Sequence, residues 1–191
     1  LIPEKYSNTQ NHLIKSVEQF TDGNYVSLLK NAHRFKSDTF ILMEYNSNDS
    51  LENVIEIELN KPGNGTMRDF FIDQHGNYVL SLGAIGSCAW YVISPEGEVL
   101  QEYVDISQQE TFLNISEHPE FGYVTLNGEF KTFRDPQWWE TIYANITAYS
   151  YAGDTLWMTP VVDTHAIYDS TFQEFFEIGV DPYTGDIYVL G

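Results

Sequence analysis

The chain has 191 residues, a formal net charge of -19 and one cysteine. That length suits one domain with a full core. The acidity excludes a general nucleic-acid binder, since phosphate contacts need clustered Lys and Arg, and a single Cys88 excludes an internal disulfide. The acid excess reads as a solvated surface, with a bound cation or a basic partner as the sharper reading. No apolar run approaches the roughly 20 residues of a spanning helix. A start at Leu1 rather than Met implies a removed leader or a trimmed sequence.

In chain order, short apolar runs alternate with turn signals. Residues 14–20 lead into the turn of TDGNYVSLL, and 40–45 turn through NSND towards 54–59. Residues 70–72 lead through Gln74-His75-Gly76-Asn77 into 78–82, and 89–93 turn through Ser94-Pro95-Glu96-Gly97 into 99–104. Residues 112–115 precede PEFGYVTL, 142–149 turn through YAGD to Leu156 and Trp157, and 175–180 precede YTGDIYVL. Glycine supplies positive φ and Pro presets φ near -65°, so each junction predicts a hairpin. Period-two alternation supports strands throughout, and no sustained helical period is present.

The turn glycines Gly23, Gly76, Gly122 and Gly185 lie 53, 46 and 63 residues apart, near the roughly 40 to 50 of propeller blades. Repeats of this kind, on residues 21–28, 73–100, 146–157 and 181–190, resemble those of secreted bacterial β-propellers, including the quinoprotein-like ones. The resemblance implies an all-β propeller of four-stranded antiparallel blades at about 11–60, 66–106, 110–163 and 172–191. It implies no single activity, since binding propellers, lyases, sulfotransferases and dehydrogenases share such turns. The vicinal disulfide that marks the dehydrogenase branch is missing. Three and a half blades fall short of a ring. Either the chain is part of a longer propeller, with further blades as its partner, or residues 1–10 and the fourth copy close an irregular four-bladed ring. The first reading is favoured, because half a blade exposes a sheet edge.

In a propeller, the connections between second and third strands share one face. Here they are predicted as loops over 30–39, 83–87 and 127–141, which hold five of the nine Lys and Arg residues: Lys30, Arg34, Lys36, Lys131 and Arg134. Arginine offers a fork matching carboxylate, sulfate or phosphate. Trp138 and Trp139 supply stacking surface in the longest segment. The candidate ligand-binding residues are therefore His33, Arg34, Lys36, Lys131, Arg134, Trp138 and Trp139, for an acidic glycan or a protein partner. The alternative readings are polar loops that offset local acids, and a Trp that folds back to cap its blade.

Other signals are weaker. His12, His33, His75, His118 and His165 lack metal-ligand spacing. The carboxylates around the two Gly turns at 94–98 and 181–186 could hold calcium, but they lack a calcium loop's alternating ligands and read as hairpin turns. Cys88 reads as a small buried hydrophobe. Trp90, Trp157, Tyr25, Tyr78, Tyr123 and Tyr188 are expected in the core. Asn48, Asn64, Asn114 and Asn145 head glycosylation triplets. No other cofactor, catalytic elbow or phosphate loop is indicated. The function expected is an extracytoplasmic binding module, secreted, periplasmic or at the cell surface. A propeller enzyme acting on a polysaccharide or sulfated substrate is the alternative, with His33 or a nearby carboxylate as acid or base. A structural part of a larger surface protein is the third reading.

Overall fold

The computed structural model describes residues 12–31, 39–59, 66–134, 137–161 and 177–190. All regular structure among them is β, in twelve strands: β1 His12–Gln19, β2 Tyr25–Asn31, β3 Thr39–Tyr45, β4 Leu51–Glu58, β5 Thr66–Ile72, β6 Tyr78–Ile93, β7 Val99–His118, β8 Gly122–Arg134, β9 Gln137–Ser150, β10 Thr155–Pro160, β11 Glu177–Val180 and β12 Ile187–Leu190. Every pairing is antiparallel between neighbours in sequence. The hairpins expected from the Gly turns are therefore present.

β1 to β4 form a four-stranded meander, β11 and β12 a two-stranded one, and β5 to β10 one continuous ladder. Two strands in that ladder double back. β6 has 16 residues, enough to reach about 50 Å when extended. Yet Glu96, past its end, acts on the phenol of Tyr78 at its start, and Tyr78 and Ile93 share one core cluster. β7 does the same, because Gln101 and Glu117 both bond to Tyr151. The ladder thus folds into two four-stranded units. The first is β5, both halves of β6 and the start of β7; the second is the rest of β7 with β8, β9 and β10.

The units pack face to face through alternating side chains. Ala89, Tyr91 and Ile93 join the cluster shared with Val26, Leu28, Phe40 and Leu42 of the first sheet, whereas Cys88, Trp90 and Val92 join Leu113, Tyr123 and Tyr149 of the next. A third cluster sets Val124 and Leu126 against Ile178 of β11. Period-two patterning thus gives the middle sheet two buried faces. Full burial of each Val or Leu there contributes about 1.5–3 kcal/mol. The first strands meet in chain order, β1 against β5, β5 against β7 and β7 against β11.

Three expectations need correction. Residues 83–87 are not an open loop but strand, with Gly83 paired to Thr66, Ile85 to Glu110 and Ser87 to Ile106. Small residues let the chain reverse there while its backbone groups keep partners. Of the predicted loop 127–141, residues 127–134 and 137–141 are also strand, because β8 runs on to Arg134 and β9 starts at Gln137. Lys131 and Arg134 interrupt the apolar pattern, but Phe130, Phe133, Trp138 and Trp139 are strong strand formers. Finally, Trp90, Tyr78 and Tyr123 are in the core, but Trp157 and Tyr188 are exposed (38% and 54%). Trp157 lies on the outer strand of its unit, and among the described residues β12 has no strand beyond it. Cys88 is buried and in no disulfide, as expected.

Candidate functional site

One turn design recurs at one end of the strands. At Phe20, Asn46, Asp73, Ser94 and Ser150, the residue's N–H donates to the carbonyl four residues on, and its own carbonyl accepts from the N–H three residues on. That third residue has positive φ in every case: Gly23 (91°), Asp49 (63°), Gly76 (80°), Gly97 (90°) and Gly153 (90°). This is a type I turn closed by a left-handed residue, which suits glycine. Asn46, Asp73, Ser94 and Ser150 reinforce it, each side chain accepting two backbone N–H groups of its own turn. Asp181 does likewise for Tyr183 and Thr184, so 181–186, like 94–98, is a hairpin turn. Each of the turns 20–24, 46–50, 73–77, 94–98, 119–121, 150–154 and 181–186 carries a carboxylate, and none carries Lys or Arg.

These turns are tied together by phenol–carboxylate pairs. The buried Tyr123 hydroxyl donates to Asp73 Oδ2 at 2.6 Å, while Asp73 also accepts from the side chain of Asn77 at 3.0 Å. Tyr151 donates to Glu117 Oε1 at 2.7 Å, and the Gln74 N–H reaches that same oxygen at 2.9 Å. The Gln74 side chain bonds to Tyr151, and His75 lies edge-on to the Tyr151 ring at 4.5 Å. Tyr78 donates to Glu44 across the first two sheets. Burial, and after it the bonded carboxylate, pushes the pKa of Tyr78, Tyr123 and Tyr151 above the ordinary phenol value. His118 is buried and stacked on Phe121 at 3.8 Å. Its Nδ1 accepts from the Glu120 N–H at 3.2 Å, which leaves Nε2–H to donate to the Gly185 carbonyl at 3.0 Å. With phenols held protonated and these carboxylates supplied with donors, the network fastens sheets together.

The far end of β8 and β9 has a different character. β7 follows β8 only as far as the pair Glu110 and Phe130, and β10 follows β9 only to the pair Pro160 and Asn145. Beyond these, Lys131 pairs with Glu140, Thr132 with Trp139, Phe133 with Trp138 and Arg134 with Gln137, as a two-stranded ribbon. The register thus brings four of the predicted residues, Lys131, Arg134, Trp138 and Trp139, into four successive strand pairs. His33, Arg34 and Lys36 lie outside the described residues, as do His165 and Asn64. Lys30 sits 5.4 Å from the centre of the Phe40 ring, a cation–π contact within its own sheet. Among the described residues, no group of three or more His, Cys, Asp or Glu side chains is placed to hold a metal ion.

Sequence reasoning missed Asp73, Glu117, Tyr151 and His118. The first was detectable, because Asp73 opens the same Asx/Ser-x-x-Gly spacing as Ser94 and Ser150. The other three carry no local signal, since the side-chain hydrogen-bond partners of Glu117 and Tyr151 are 34 or more residues away in sequence and His118 bonds to backbone atoms.

No family model matches the chain, and no curated protein matches it significantly. The crystal structure of a protein of unknown function from Bacteroides caccae, at 1.35 Å resolution, matches over 94% of this chain with a TM-score of 0.50 and 15% sequence identity. This chain spans about half (53%) of that protein's length. The likeness is one of fold: an all-β architecture of antiparallel sheets.

Proposed function

We propose that the chain forms part of a bacterial, extracytoplasmic β-propeller that serves as a binding module for an anionic glycan, met through the β8–β9 ribbon. The propeller reading draws support from the face-to-face sheets, from first strands that meet in chain order, and from a structural neighbour about twice as long. The observation that carries the binding reading is the overrun of β8 and β9. It gathers two cationic and two indole-bearing residues on one ribbon, in a chain of net charge -19. Guanidinium and ammonium groups suit carboxylate or sulfate, and indoles suit sugar faces.

The test is affinity electrophoresis and titration with heparin and polygalacturonate, comparing the wild type with Lys131→Ala/Arg134→Ala and Trp138→Ala/Trp139→Ala. Loss of one charge-assisted bond, about 1.5–3 kcal/mol, predicts roughly 10- to 150-fold weaker binding by the first variant, with salt weakening the wild type as well. Unchanged affinity in both variants, with unchanged melting, would reject the ribbon as the contact. Binding of a protein but of neither polyanion would replace the glycan with a protein partner.

A further inference from the structure

β5 carries a bulge whose purpose lies outside its own sheet. Its register jumps from Met67 opposite Leu82 to Phe70 opposite Leu80, so Arg68 and Asp69 together face Ser81. A bulge frees one residue from the ladder and re-aims it. Here the freed Asp69 N–H donates to the buried Ser81 hydroxyl oxygen at 2.9 Å, and that hydroxyl donates back to Asp69 Oδ2 at 2.8 Å. The same carboxylate oxygen accepts the Ile115 N–H at 3.1 Å. Ile115 is on β7, the first strand of the next unit, so its N–H would otherwise be an unpaired donor on an open strand edge. The other polar bonds described between these two units, at Asp73, Gln74 and Gln101, all lie at the turn end.

We propose that Asp69 is a proton-linked latch between the second and third sheets, one that tightens on acidification. Its surroundings explain the direction. β6 presents Ser81 and β7 the Ile115 N–H, both neutral donors. β11 brings the like charge of Glu177, and β5 itself the opposing charge of Arg68. β1 also lies against β5, but its Lys15 and Glu18 are not among the charges that shift Asp69. Burial is the largest influence and, with Glu177, holds the carboxyl pKa above the ordinary aspartate value, outweighing the two hydrogen bonds and Arg68. A protonated Asp69 keeps one oxygen free to accept from Ser81 and Ile115, so neutralisation removes the burial cost without breaking the bridge. Since the folded pKa is raised, the folded state binds the proton more tightly, and this contribution to stability falls as pH rises from the ordinary value through the raised one.

The test follows the Ile115 amide of the wild-type chain by NMR from neutral to acidic pH, beside melting of Asp69→Asn over the same range. An Ile115 amide shift with a midpoint above the usual aspartate range supports the latch. So does an Asn variant that melts above wild type at neutral pH, by a margin that shrinks towards pH 4. An Ile115 amide indifferent to pH, or with a midpoint at or below the ordinary value, overturns it even if the Asn variant fails to fold. A melting difference constant across pH also overturns it.

Discussion

Replacing Tyr123 by Phe removes one oxygen from the most buried of the phenol–carboxylate pairs and leaves the ring in place. The ring's contacts, edge-on to Tyr151 at 5.4 Å and tilted to Trp90 at 5.8 Å, do not need the hydroxyl. What is lost is a 2.6 Å bond to a carboxylate that is itself 4% exposed. Bonds to charged groups contribute about 1.5–3 kcal/mol. Asp73 keeps three donors, from His75 N–H, Asn77 N–H and the Asn77 side chain, so no bare charge is stranded. The lower part of the range applies, about 2 kcal/mol. For a chain of this size that lowers Tm by about 4–8 °C. Urea unfolding followed by far-UV circular dichroism and by tryptophan emission measures it, since Trp90 adjoins the site. Tyr151→Phe, at a half-exposed pair, should cost about 1 kcal/mol or less. A Tyr123→Phe cost below about 0.5 kcal/mol, or the same cost in an Asp73→Asn background, would refute the reasoning.

The turn glycines should differ sharply in their tolerance of alanine. Gly76 (φ 80°) has open space around a new Cβ, so Gly76→Ala should cost only the left-handed strain, about 1–2 kcal/mol. Gly122 would place its Cβ 2.4 Å from the Tyr149 carbonyl oxygen, a backbone atom that cannot move aside, so Gly122→Ala should melt well below Gly76→Ala; equal melting would contradict the packing described. Alkaline titration followed by tyrosine absorbance should show Tyr78, Tyr123 and Tyr151 silent near pH 10 and ionising only on unfolding. Their folded pKa values are raised, so the folded state holds protons the unfolded chain releases, and stability falls as pH climbs past the ordinary phenol value. A full complement of exposed-type tyrosines titrating with the fold intact would count against the pairs.

The hairpins were legible because their signal is local. Gly76 and Gly97 mark reversals that two neighbouring strands must make, and the unbroken apolar run 88–93 marks a strand whose two faces the structure shows to be buried. The extended state of 83–87, 127–134 and 137–141 was not legible, because strand there is decided by pairing with Glu110 and with the facing half of the ribbon. Composition at those positions resembles that of loops. Trp157 and Tyr188 show the converse error: an aromatic side chain looks like core in sequence, but its burial depends on whether a neighbour arrives. Arg134 and Trp138 were brought to attention by residue type and by their place in a predicted loop, and their nearness follows from a strand register that neither reveals.

β7 gives its first part to the second unit and, after doubling back, its remainder to the third, with strand pairing on both sides of the reversal. The two sheets therefore share a covalent crosspiece that is hydrogen-bonded on both sides of the boundary. Sliding one past the other would have to unzip that strand rather than merely separate greased faces. Under mechanical pull or shear, these two units should yield together as a single block, whereas the first sheet, held to the second by a shared core and the Tyr78–Glu44 bond but by no strand in common among the described residues, should peel away first.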